Sequence, residues 1–171
     1  MSNRISTVNI RRSCVAIFAL LIVFAAAGPT IAETQTVSLF PTATTIGKTA
    51  EFVLVYNVEG ASVLTTGLGL RVHFNSNAAE AIALENIFDV DMVAFDHTPT
   101  PDTKDYDNNP ATDQFLNVAW MNIDGLWPAG QSLPLDLATV AIKLKAGGDA
   151  LILNVSASSA AAGYKFEGTG Y

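Results

Sequence analysis

The chain has 171 residues, half of them hydrophobic, with 9 Lys and Arg against 16 Asp and Glu and a single cysteine, Cys14. A net charge of −7 argues against nucleic acid and anionic membrane as partners, since both reward Lys and Arg. One cysteine excludes an internal disulfide, and two histidines, His73 and His97, without a second soft ligand argue against a zinc site.

Residues 1–32 read as a secretory signal peptide. Arg4, Arg11 and Arg12 precede an unbroken apolar run from Val15 to Ala27, and Thr30-Ile31-Ala32 sets small residues where a signal peptidase reads them. Cleavage is expected between Ala32 and Glu33. The thirteen-residue apolar run is short of the roughly 20 that a membrane span needs, and Cys14 precedes it, so it is not a lipid-attachment cysteine at the cleavage site. Removal of this segment leaves 139 residues, no cysteine and a net charge of −10. A single domain, 33–171, is expected in the periplasm or outside the cell, with no membrane insertion after cleavage. Its stability must come from a hydrophobic core, helped at most by a bound ion.

From there the dominant period is two. Thr34 to Phe40 reads as a first strand ended by Pro41. In AEFVLVYNV, Phe52, Leu54, Tyr56 and Val58 share a face. In GLGLRVHF, Leu68, Leu70, Val72 and Phe74 oppose Gly67, Gly69, Arg71 and His73. His73 therefore falls on the polar face, where a solvated imidazole is expected. Ala78 to Phe88 is ambiguous between a strand and a short helix. Phe115 to Asn122, Asp136 to Ala146 and Asp149 to Ser158 alternate again, with Trp120 on the core face beside Leu116 and Val118. Turn residues separate the runs, as in Asn75-Ser76-Asn77, Asp124-Gly125 and Gly147-Gly148-Asp149. The pattern predicts an all-β fold, a two-sheet antiparallel β-sandwich of about eight or nine strands.

The longest irregular segment is Asp89 to Asp113, and it contains DTKDYDNNPATD. Asp105, Asp107 and Asn109 alternate and Asp113 follows. Hard oxygen ligands at alternate positions of a curling loop suit calcium, with Asp89, Asp91 and Asp96 upstream as further oxygens. The other reading is a solvated Asp/Asn-rich loop with no ion. The stretch is not an EF-hand, having no Gly at the sixth position and no late Glu. Trp127, in NIDGLWPAG, is either an exposed platform for a sugar ring or a protein partner, or a plug on the end of the sandwich; Tyr106 is the second aromatic that a sugar site would use. No Gly-x-Ser-x-Gly elbow, His-Glu-x-x-His pair or phosphate-binding glycine loop is present, and no catalytic residue is assigned.

The segments TGLGLRVHFNSNAAEAI, FLNVAWMNIDGLWPAGQSLPLDLATVAIKLKAG and LNVSASSAAAGYKFEG resemble, in that order, successive strands and turns of cohesin modules. The resemblance implies a jelly-roll β-sandwich that is non-catalytic and that binds a dockerin module through one sheet face. It assigns no residue to that face. The chain differs from a scaffold of several linked modules, and its last run, GYKFEGTGY, is short. That run is either a frayed terminus or a sheet edge open to a strand from another chain. The expected function is an exported binding module, protein-binding in the cohesin manner. A carbohydrate-binding module using Trp127 and Tyr106, or a structural subunit of a surface fibre or matrix, are the alternatives.

Overall fold

The alternating runs become ten strands in a computed structural model that describes residues 33–45, 48–60 and 62–171, with the side chains of 43–45 left aside. The signal-peptide reading lies outside the described residues. The strands are β1 (Thr34–Thr45), β2 (Thr49–Glu59), β3 (Gly67–Phe74), β4 (Ala79–Glu85), β5 (Met92–Phe95), β6 (Thr100–Pro101), β7 (Gln114–Met121), β8 (Leu135–Leu144), β9 (Leu153–Ser159) and β10 (Lys165–Thr169). One sheet runs β10-β1-β2-β8-β4 and the other β5-β7-β3-β9, with β6 also on β7. Every pairing is antiparallel except β1 with β10, which is parallel.

The two sheets pack through the apolar alternates of each strand. Val37, Leu39, Phe52, Leu54, Tyr56, Leu137, Val140 and Ile142 come from one, and Leu68, Leu70, Val72, Leu116, Val118, Trp120, Leu153 and Val155 from the other. Each large side chain buried in this way contributes about 1.5–3 kcal/mol of transfer free energy, which is what a chain without disulfides relies on.

Three features depart from the sequence reading. The segment Asp89 to Asp113 is not irregular throughout, because β5 and β6 add two short strands to one edge of β7. Ala78 to Phe88 resolves as β4, whose register shift between Ala79 and Ala81 spoils a strict period of two. β1 does not end at Pro41. It shifts register between Pro41 and Ala43, and β10 pairs only Thr34 to Ser38. Pro41 thus sits where β1 has a neighbour on one side only, and its missing N–H costs no second ladder bond.

The C-terminal run is a strand and not a frayed end. β10 lies on β1, and just beyond it Tyr171 exchanges two backbone hydrogen bonds of 2.9 Å with Leu153, the first residue of β9. The chain end therefore stitches one sheet to the other. Gly168 permits this, because a Cβ there would fall on the carbonyl oxygen of Val155.

Candidate functional site

Because Leu68, Leu70, Val72 and Phe74 point into the core, Gly67, Gly69, Arg71 and His73 must face out from β3. The same rule turns Phe115, Asn117, Ala119 and Met121 outward from β7. Registers set these side by side: His73 opposite Phe115, Arg71 opposite Asn117, Gly69 opposite Ala119. On the flanks, Asn154 and Ser156 of β9 sit opposite His73 and Arg71, and Met92 of β5 sits opposite Met121. This outer face has a covered half and an open half.

The cover is the acidic loop. Its base is closed by the Asp102 N–H donating to the Asp113 carbonyl at 2.8 Å. Its curl comes from Asp and Asn side chains accepting N–H groups two or four residues on. The Asp102 carboxylate takes Lys104 at 3.3 Å and Tyr106 at 3.2 Å, Asp107 takes Asn109 at 3.4 Å, and the Asn109 side-chain oxygen takes Ala111 at 3.1 Å. The Tyr106 ring lies over Arg71, with the guanidinium carbon 3.9 Å from its centroid, and meets Phe115 edge-on at 5.9 Å. Arg71 also donates to the Ala157 carbonyl at 2.8 Å, so it is fixed from both sides.

Beneath this flap His73 is fully buried, which corrects the expectation of a solvated imidazole. The polar face of β3 is polar, but the loop covers it. The Nε2 atom shares a 2.8 Å hydrogen bond with Ser156 Oγ. On the other side, Nδ1 is 2.9 Å from Asp102 Oδ2 and 3.8 Å from Asp107 Oδ1, and both carboxylates are shut off from solvent. Nδ1 therefore sits in ion-pair contact with Asp102 without a well-directed hydrogen bond. Burial pushes the His73 pKa down from its ordinary value, helped by the nearby Arg71 charge; the negative charges of Asp107 and then Asp102, and the close polar contact with Asp102, oppose that shift without reversing it. The remaining oxygen of Asp107 is held by Thr112 Oγ1 at 2.9 Å and Asn154 Nδ2 at 3.1 Å.

Of the four residues expected around calcium, only Asp107 points into this pocket. Asp113 is turned to Ser76, accepting its N–H at 2.6 Å and its hydroxyl at 2.5 Å, and Asn109 is engaged in its own turn. Asp105 is exposed at a left-handed turn position with φ of 51°. Among the described residues, the ligand-bearing side chains that converge are His73, Asp102 and Asp107, whose donor atoms lie within 4.8 Å of one another. Upstream, Asp96 accepts from the backbone and side chain of Asn117 at 3.2 and 2.7 Å and pins the β5–β6 connection.

Trp127 is a plug. It is fully buried, 4.8 Å from the Tyr56 ring centroid and 6.2 Å from that of Trp120, and its backbone is clamped to Thr65 by two hydrogen bonds of 2.8 and 3.0 Å. The platform reading of Trp127 is thereby overturned: the residue sits inward because the preceding Asn122–Leu126 turn, closed on the Asn122 side chain, folds it over the sandwich end. Tyr106 remains exposed, with one ring face taken by Arg71.

The open half has a different character. Met92 and Met121 form a cross-strand pair that is 49% and 51% exposed, and Ile123 (80%) and Leu126 follow in the next turn. Beside Met121, a groove of about 310 Å³ is floored by Gly67, Gly69 and Ala119 and walled by Ser158.

No protein-family model matches the chain, and no curated protein does. Solved structures similar to it include cohesin modules. One is the seventh ScaB type I cohesin from Pseudobacteroides cellulosolvens, with 9% identity over 80% of this chain and 90% of that one, at a TM-score of 0.42. Another is the second type II cohesin module from the cellulosomal adaptor ScaA scaffoldin of Acetivibrio cellulolyticus, with 13% identity over 80% of this chain and 94% of that one, at a TM-score of 0.33.

Proposed function

We propose that the chain is an exported, non-catalytic binding module that takes a protein partner of the dockerin kind on the open half of the β5-β7-β3-β9 face. The observation that carries this reading is the exposed Met92–Met121 pair, with Ile123 and Leu126 exposed beside it. Methionines are adaptable anchors for a partner surface. The chemistry of the partner follows from the surroundings. Asp91 precedes Met92 and Asp124 follows Ile123, in a domain of net charge −10 once residues 1–32 are removed. An apolar anchor flanked by Lys or Arg is the complementary surface. The sequence resemblance to cohesins, which bind through one sheet face, agrees with this choice.

The carbohydrate alternative is weaker, because buried Trp127 offers no ring face and Tyr106 offers only one. The fibre alternative is weaker, because the C-terminal run is not frayed: β10 pairs Thr34 to Ser38 of β1.

Titration of the purified protein against a panel of dockerin modules by calorimetry tests the proposal. Binding to at least one module is expected, and Met92→Lys with Met121→Lys should weaken it by about tenfold or more without lowering Tm, since truncating or charging an interface anchor costs about 1–2 kcal/mol or more. Retention on polysaccharide with no dockerin bound, or hydrolysis of a polysaccharide panel, would refute it.

A further inference from the structure

The pocket under the flap is not needed to bind a partner on the open half, and its chemistry points elsewhere. We propose that His73, Asp102 and Asp107 form a site for a divalent first-row transition ion, of which zinc fits the donor set, closed by the acidic loop.

Where Nε2–H donates to Ser156 Oγ, Nδ1 keeps its lone pair and turns it toward two carboxylate oxygens at 2.9 and 3.8 Å. Lone pairs facing one another in a buried space repel, and a shared cation relieves that. A fully buried nitrogen that meets a carboxylate oxygen at 2.9 Å without a well-directed hydrogen bond is a costly feature to retain without such a purpose.

Each donor is also braced from behind, as metal ligands are. Ser156 fixes the far nitrogen of His73. The far oxygen of Asp102, Oδ1, accepts the N–H groups of Lys104 and Tyr106, both at 3.3 Å. Thr112 and Asn154 hold the far oxygen of Asp107. Three donor atoms spaced within 4.8 Å can all reach an ion at bond lengths of about 2.0–2.2 Å after small adjustments. Two carboxylates then balance the ion's charge, so the pocket gains a neutral centre in place of two buried negative charges.

The donor set also selects the ion. Calcium seeks six to eight oxygens and magnesium a nearly octahedral oxygen shell, whereas an imidazole with two carboxylates suits zinc and its neighbours. The small histidine count and the missing cysteines hid this site in the sequence, because His73 and its two acids are far apart along the chain.

The test uses the purified protein stripped with EDTA. Zinc, manganese, calcium and magnesium salts are then compared by thermal unfolding, and zinc stoichiometry is measured by competition with a fluorescent chelator. One equivalent of zinc should bind, with a Tm rise of about 5–10 °C at a hundredfold excess over Kd. Calcium and magnesium should give no comparable rise. Asp107→Asn, which keeps the side-chain volume, should weaken zinc binding by about a hundredfold, while His97→Gln and Asp105→Asn leave it unchanged. Should Asp107→Asn fail to fold, nitrogen NMR of the wild-type histidines decides the matter: zinc must shift the His73 Nδ1 resonance and spare His97. Absence of zinc binding tighter than about 10 µM, binding lost in His97→Gln, a calcium-only rise in Tm, or an unmoved His73 resonance would each overturn the site.

Discussion

Replacing Trp127 by Ala is expected to lower stability by about 3–5 kcal/mol in denaturant unfolding, the cost of emptying a large buried aromatic site. A loss below about 1 kcal/mol would mean the ring is not packed as described. Gln35 makes a quieter case. Its side chain is fully buried and donates to Tyr56 Oη at 3.1 Å and the Gly67 carbonyl at 3.3 Å, while its oxygen accepts the Ala161 N–H at 3.0 Å. It thus ties both sheets to the loop before β10. Gln35→Leu keeps the volume but strands these groups, and a loss of about 1–3 kcal/mol is expected from the change in unfolding midpoint. Gln35 stands in phase with Val37 and Leu39 in TQTVSLF, so its inward position was legible; that it would be a hydrogen-bond hub was not. The alternating acids carry a second physical meaning. An Asp or Asn that accepts the N–H two residues on produces the same spacing as a chain of oxygen ligands, and Asp107 and Asn109 do that. His73 misled because alternation reports which side of a sheet a residue takes and nothing about what later folds onto that side.

At the scale of strands, period two located β2, β3, β7, β8 and β9 to within a few residues, because each has one face in the core. β5 and β6 escaped because strands of four and two residues are too short to show a period. Their presence matters, since β5 supplies half of the methionine pair. β3 depends on Gly67, whose φ of 124° and close approach to β7 leave no room for a side chain: a Cβ would fall on the carbonyl oxygen of Trp120. Gly67→Ala should therefore destabilise by about 2 kcal/mol or more, seen as a lower urea midpoint at an unchanged m-value. An unchanged midpoint would show that β3 and β7 can separate there at no cost.

For the whole molecule, the lack of disulfides leaves stability to the core, and the charge balance bears on the proposed partner. The proposed basic-rimmed partner should associate more slowly with a domain of net charge −10 as salt rises. Raising sodium chloride from about 50 to 500 mM should cut the association rate by about tenfold and leave dissociation nearly unchanged, as a stopped-flow or surface-binding experiment would read. The sandwich itself was legible from alternation and turns; the division of one face into a covered and an open half was not, since it depends on where a loop lands in space. The proposed binding function depends on that open half. Amide hydrogen exchange with and without a bound dockerin module measures it directly. Protection concentrated in residues 91–95 and 119–126 is the predicted result. Protection on the outer face of β4 and β8 instead, with 91–95 and 119–126 unchanged, would contradict it.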